Sequence, residues 1–220
     1  MKIVNLFAVA SAMLFAFQLD SLAQAKEISR EEFSTPLRDQ YASTRKRPSR
    51  KIQEISYYQN GKKYQEKWTY ENQPPDRVHY IHVESFEGKV TRTEEIDIGK
   101  TKYCKKDGGE WTVNSSYCTG GGGMGGLSNI IKQIYTVEKG DLEGKKTLLY
   151  HEYTTYKNVY SKTADSDGPS FLETRYWVDH DGLILRYESR HGLVSNPELS
   201  EAKIETYDYD SDIKIEPPIR

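Results

Sequence analysis

The sequence predicts an α+β protein of one domain: an antiparallel sheet preceded by one helix and interrupted by a second, short one. Three observations carry this expectation. A helical stripe of apolar residues occurs near the start, and from Ile52 onward the apolar residues alternate instead. Through the first half of the chain no connection is long enough for a helical crossover, so successive strands pair antiparallel.

The first 25 residues stand apart from the rest. Lys2 precedes the apolar run Ile3-Val4 and Leu6 to Phe17, and Ala23-Gln24-Ala25 offers a small-x-small cleavage site, the pattern of a secretory signal peptide. The run breaks at Gln18 and Asp20, short of the roughly 20 apolar residues that a membrane span needs. Cleavage after Ala25 is expected, leaving Lys26 to Arg220 as a single exported domain, periplasmic or secreted. No Cys follows the site to take a lipid, so a soluble product is expected.

Ser29 with Glu32 three residues on forms a capping box, and Phe33, Leu37 and Tyr41 give one apolar stripe that ends near Arg47-Pro48. Ile55 to Tyr58, then Asn60-Gly61, then Tyr64 to Tyr70 read as a hairpin, with Tyr64, Glu66, Trp68 and Tyr70 on one face. Arg77 to Val83 follows Pro74-Pro75, Val90 to Ile98 follows Gly88, and shorter strands are expected at Thr101 to Cys104 and Glu110 to Val113. Gly120 to Gly126, with Met124 among the glycines, form a loop. After it, Leu127 to Tyr135 are predicted to make the inserted helix, with Ile130, Ile131 and Ile134 on one side. Strands resume at Thr147 to Tyr156. A polar loop from Ser161 to Ser170 leads to Leu172 to Val178, which turns through Asp181-Gly182 into Leu183 to Ser189. Lys203 to Tyr209 is the last expected strand, before Ile213 to Pro218.

Composition narrows the function. Lys and Arg number 31 against 33 Asp and Glu, a net charge of -2 that supplies no global field for a polyanion, so a dedicated nucleic-acid binder is not expected. Half of the six Phe residues leave with the signal segment, and the core must lean on the 17 Tyr and 3 Trp. Cys104 and Cys118 in an oxidising compartment read as one disulfide closing a loop around Trp111. They lack redox C-x-x-C spacing and cannot form a structural zinc site by themselves. His79 and His82 are three apart on a strand and face opposite sides, so they do not share a metal there. Asp179-His180-Asp181 is the nearest approach to a catalytic cluster, but it sits where a turn needs polar residues. There is no Gly-x-Ser-x-Gly and no phosphate-binding Gly-Lys-Ser/Thr, so no cofactor, metal or enzymatic activity is expected. Arg45, Lys46, Arg47, Arg50 and Lys51 gather five cations near the helix end, either as a solvated face or as a contact for an anionic membrane surface.

The export signal, the helix, the meander, the stretch RYWVDHDGLILRYESR at 175–190 and the tail YDYDSDIKIEPPI at 207–219 together resemble the periplasmic lipoprotein-carrier and lipid-binding superfamily typified by LolA, LolB and LppX-like proteins. The likeness extends over most of the mature chain as an order of elements, while only the hairpin and the tail carry sequence detail. It implies a curved antiparallel sheet forming an unclosed half-barrel, with helices across the concave face and acyl chains held there. On that reading the partner is a lipid or an acylated lipoprotein. The groove would be lined by Trp68, Tyr70, Val78, Tyr80, Ile96, Ile98, Leu183, Leu185 and Tyr187, and the lid formed by Met124, Ile130, Ile131 and Ile134. The same apolar residues suffice for a packed core. The alternative is then a non-enzymatic protein-interaction module of the envelope, using the sheet face or the acidic tail of Asp208, Asp210, Asp212 and Glu216.

Overall fold

The N-terminal helix starts where its capping residues place it. In the computed structural model, which describes residues 25–44, 47–59, 61–114, 128–158, 168–209 and 212–219, Glu32 N–H donates to Ser29 Oγ at 3.1 Å. Ser29 N–H in turn donates to the Glu32 carboxylate at 2.8 Å, so two otherwise orphaned donors are satisfied reciprocally. Helix α1 runs Arg30–Thr44, after a two-residue strand β1, Lys26–Glu27.

The strands that follow are β2 (Ser49–Gln59), β3 (Lys62–Gln73), β4 (Arg77–Phe86), β5 (Lys89–Ile98), β6 (Thr101–Lys106) and β7 (Thr112–Val113). Then come β8 (Ser128–Leu142), β9 (Lys145–Asn158), β10 (Ser170–Val178), β11 (Ile184–Leu193) and β12 (Asn196–Asp208). All pair antiparallel in one sheet of 12 strands ordered β1-β8-β9-β10-β11-β12-β2-β3-β4-β5-β6-β7. Its two edges, β1 and β7, do not meet, which makes it a curved, unclosed half-barrel with one helix among the described residues.

Two expectations are corrected. The segment expected as an inserted helix is the first half of β8, so Ile130, Ile131 and Ile134 lie on a strand. A bulge between Ile130 and Lys132 removes one residue from the alternation, and that gave the isoleucines their helix-like spacing. The last strand begins at Asn196 rather than near Lys203, in a hairpin whose alternation is broken at Gly192. A Cβ at Gly192 would meet the Ser200 Cβ at 2.8 Å, so the close approach of β11 and β12 requires glycine.

Cross-strand partners share a face, so the register sorts the side chains into two sets. On the helix face, Phe33 of α1 packs on Tyr135 and Tyr176 at ring-centroid distances of 4.8 and 5.0 Å, joined by Val178 and Ile184. Tyr176 is fully buried, and its hydroxyl donates to the Phe33 carbonyl, tying strand to helix. On the far face a second core forms under the C-terminal tail, where Ile213 and Ile215 cover Ile96, with Ile98, Tyr103 and Trp111 at its margin. Arg77 donates to the Ile215 carbonyl at 2.6 Å, and Ile215 N–H donates to Gln73 Oε1 at 2.8 Å.

Candidate ligand-binding face

Helix α1 packs on β8 and β11 and leaves the helix face half-exposed from β2 to β6. There the register lays the side chains out in rows across the strands. The first is Tyr57, Tyr64 and Phe86, stacked with centroids 5.1 and 3.9 Å apart. The second is Lys203, Ile55, Glu66 and Glu84, and the third Tyr187, Glu205, Gln53, Trp68, His82 and Thr93. The fourth is Tyr207, Lys51, Tyr70, Tyr80, Glu95 and Cys104. Asn72, Val78, Asp97 and Lys102 follow. Trp68 stacks on His82 at 3.7 Å, and Tyr70 meets Tyr80 edge-on at 5.4 Å.

This face therefore brings together five of the nine predicted groove residues: Trp68, Tyr70, Val78, Tyr80 and Tyr187. It does not include Ile96 and Ile98, which the register turns to the far face, where Ile96 is covered by the tail. Leu183 is buried in the turn before β11, and Leu185 is the extra, half-buried residue of a bulge opposite Trp177 and Val178. Met124 and Cys118 lie outside the described residues, as do Arg45 and Lys46. Cys104 is buried at 4% exposure, its sulfur 3.8 Å from Glu95 Oε2.

Charged groups share the aromatic face, of which the sequence alone places Glu66 beside Trp68 and Tyr70. Glu205 is 7% exposed, accepts from the Tyr207 hydroxyl and lies 3.5 and 3.2 Å from the Lys51 and Lys203 ammonium groups. Burial works to raise its carboxyl, but the Tyr207 hydrogen bond and the two cations outweigh it, and the net shift is downward. Tyr70 is pushed up to about 12, first by burial and then by the Glu205 charge, while the Lys51 ammonium sits 4.3 Å over its ring. The Glu66 carboxylate takes the Tyr57 hydroxyl at 3.1 Å and the Trp68 Nε1–H at 3.2 Å. The Glu95 carboxyl is raised, chiefly by burial and against the pull of Lys102. His82 Nε2 lies 3.4 Å from Glu66 Oε2, and Asp97 Oδ1 is a buried polar atom with no hydrogen-bond partner among the described residues. The i, i+2 repeat Tyr64, Glu66, Trp68, Tyr70 was the one local signal that could place an acid among these rings. Toward β7 the face opens into a depression of about 390 Å³ lined by Thr93, Cys104, Lys106 and Thr112 with Lys105 and Glu110.

The remaining candidates resolve elsewhere. His79 is on the far face, opposite to His82, and its two ring nitrogens lie 2.9 Å from Glu71 and 3.0 Å from Glu94. Asp179, His180 and Asp181 are close enough to converge on a cation, but Asp179 Oδ1 already accepts the N–H groups of Asp181 and Leu183 at 2.9 and 2.8 Å, which is turn chemistry. Arg50 and Lys51 are engaged with Glu71 and Glu205 rather than presented as a free basic patch. Of the acidic tail, Asp212 and Glu216 are exposed while the intervening Ile213 and Ile215 are buried, and Asp210 lies outside the described residues. No helix among the described residues is long and apolar enough to cross a membrane.

No family model matches the chain, and no curated protein matches it. Solved structures do. The Mycobacterium tuberculosis lipoprotein LppX is 11% identical with a TM-score of 0.45, over 86% of this chain and 100% of that one. A putative outer membrane lipoprotein-sorting protein domain from Vibrio parahaemolyticus is 9% identical with a TM-score of 0.31, over 84% and 95%. A DUF1329 family protein from Desulfovibrio piger is 10% identical with a TM-score of 0.29, over 83% and 93%.

Proposed function

We propose that this protein binds an acyl-bearing amphipathic molecule, a lipid or a lipid-modified protein, on the β2–β6 part of its helix face, as a non-catalytic binder in the cell envelope. The observation that carries the reading is the half-exposed aromatic field of Trp68, Tyr70 and Tyr80, continuous with Tyr64 and Phe86 and left uncovered by α1. An apolar chain laid along it gains about 0.8 kcal/mol for each CH₂ removed from water. Around Trp68, Tyr70 and Tyr80 three cations are already paired, Lys51 and Lys203 with Glu205 and Lys102 with Glu95 and Asp97. A neutral or zwitterionic headgroup therefore fits better than a bare anion.

Export and a Cys104–Cys118 bridge belong to the same reading, because a disulfide forms in the oxidising compartment to which the signal segment directs the chain. Native mass spectrometry of the protein from its own envelope fraction, before and after organic extraction, tests binding, cleavage and bridge together. A stoichiometric lipid, a start at Lys26 and a mass rising by the two thiol hydrogens on reduction are expected. Uptake of a fluorescent fatty acid should weaken about tenfold in Trp68→Ala, which removes the largest ring of the field. A bare protein that takes up no fatty acid or phospholipid would overturn the lipid reading in favour of a protein-interaction role.

A further inference from the structure

Exposed large apolar side chains are not scattered over this protein. The register brings the ends of β2, β4, β9 and β11 and the starts of β3, β5, β8, β10 and β12 to one rim of the sheet. Of the nine exposed large hydrophobic residues among the described ones, six lie at that rim: Tyr58, Val90, Ile130, Ile131, Val194 and Leu199, exposed by 42 to 63%. Single exposed apolar residues need no explanation, but their concentration at one end does.

The two rims differ in their acidic groups rather than in their cations. The apolar rim carries Lys62, Lys63, Lys89, Lys132 and Lys157 against Glu87 and Glu198, with Lys62 drawn to Glu87 at 2.5 Å. The opposite rim, with the turns after β3, β5, β8 and β10, carries Asp76, Asp141, Glu143, Asp179 and Asp181 against Lys100, Lys145 and Lys146. Arg47, Arg50 and Lys51, at the start of β2, belong to that opposite rim.

We infer that the apolar, basic rim is an interfacial docking edge for an anionic lipid surface. Its tips are spread from β5 to β8, across most of the sheet, and an extended surface can meet them together where one small ligand cannot. Val90, Ile131, Val194 and Leu199 would enter the headgroup boundary, and Tyr58 has the amphipathic ring favoured at that depth. The lysines keep their stems on the apolar side and their ammonium groups at the phosphates. This inference does not depend on what the helix face binds.

The test is flotation of the exported chain with vesicles of phosphatidylcholine alone and of phosphatidylcholine mixed with phosphatidylglycerol. Binding to the mixed vesicles, weakening as salt is added, is the expected result. Val194→Asp with Leu199→Asp, and separately Lys63→Glu with Lys89→Glu, should each lower the partition coefficient about tenfold or more. Leu148→Asp, at the opposite rim and 43% exposed, should leave it unchanged. All these positions are exposed, and matching circular dichroism checks the fold. Failure of the unaltered chain to float would overturn the proposal, as would rim variants that float like it or a Leu148 variant that falls equally. Capture of a soluble envelope protein through the same rim, with no flotation, would assign the rim to a protein partner instead.

Discussion

Glu205 shows how a residue invisible to pattern reading comes to govern a region. It lies in the middle of the sheet, buried beside Lys51, Lys203 and Tyr207, and its folded pKa is depressed. A depressed carboxyl contributes stability that is present above its unfolded pKa, about 4.3, and is lost as pH falls through the folded value. Glu205→Gln should therefore cost about 2 kcal/mol at neutral pH, and the gap to the unaltered protein should narrow below about pH 4, as read by urea unfolding at the two pH values. A gap independent of pH would mean that the carboxylate charge is not what matters there. Lys203 and Tyr207 flank Glu205 two residues away on β12, but Lys51 comes from β2, and only the pairing of these two strands, far apart in the chain, completes its surroundings. Trp68 and Tyr70, by contrast, were legible from period-two spacing on their own strand. Ile96 and Ile98 were misplaced because the parity of β5 is fixed only by its pairing with β4, which brings Ile96 opposite His79.

Among the elements, α1 was the most legible, since its start is set by chemistry within four residues. Ser29→Ala removes the acceptor of the Glu32 N–H and should cost about 1 kcal/mol. Tyr176→Phe removes the hydroxyl that holds the helix backbone to β10, leaves a buried Phe33 carbonyl without that donor, and should cost about 1 to 2 kcal/mol. Thermal unfolding followed by circular dichroism measures both. Strand β8 was the least legible: its bulge imitates a helical stripe, although Ile130, Ile131, Ile134, Thr136 and Val137 are a β-branched run that argued for a strand on propensity. The β11–β12 hairpin was shortened in the sequence reading for a related reason, Gly192 and Pro197 both interrupting alternation while the pairing continues past them.

Over the whole molecule, antiparallel order and the single leading helix were readable because turn signals and local alternation encode them. The presence of two cores on opposite faces was not, since it depends on where a tail with no regular structure comes to rest. Ile215→Ala, under which Ile96 would lose its cover, should cost about 3 kcal/mol by urea unfolding, and a cost near zero would show that the tail is not part of the cooperative unit. The topology has a further consequence. Strand β12 lies between β11 and β2, so the last strand made is the one that joins the β8–β11 block to the β2–β7 block. A chain released from its N-terminus can pair β2–β7 and β8–β11 within themselves, but the two blocks join only after β12 has emerged, and that pairing closes the longest loop of the described sheet at a cost that grows only slowly with its length. On the proposed export of this chain, the two blocks would join only on the far side of the translocation pore.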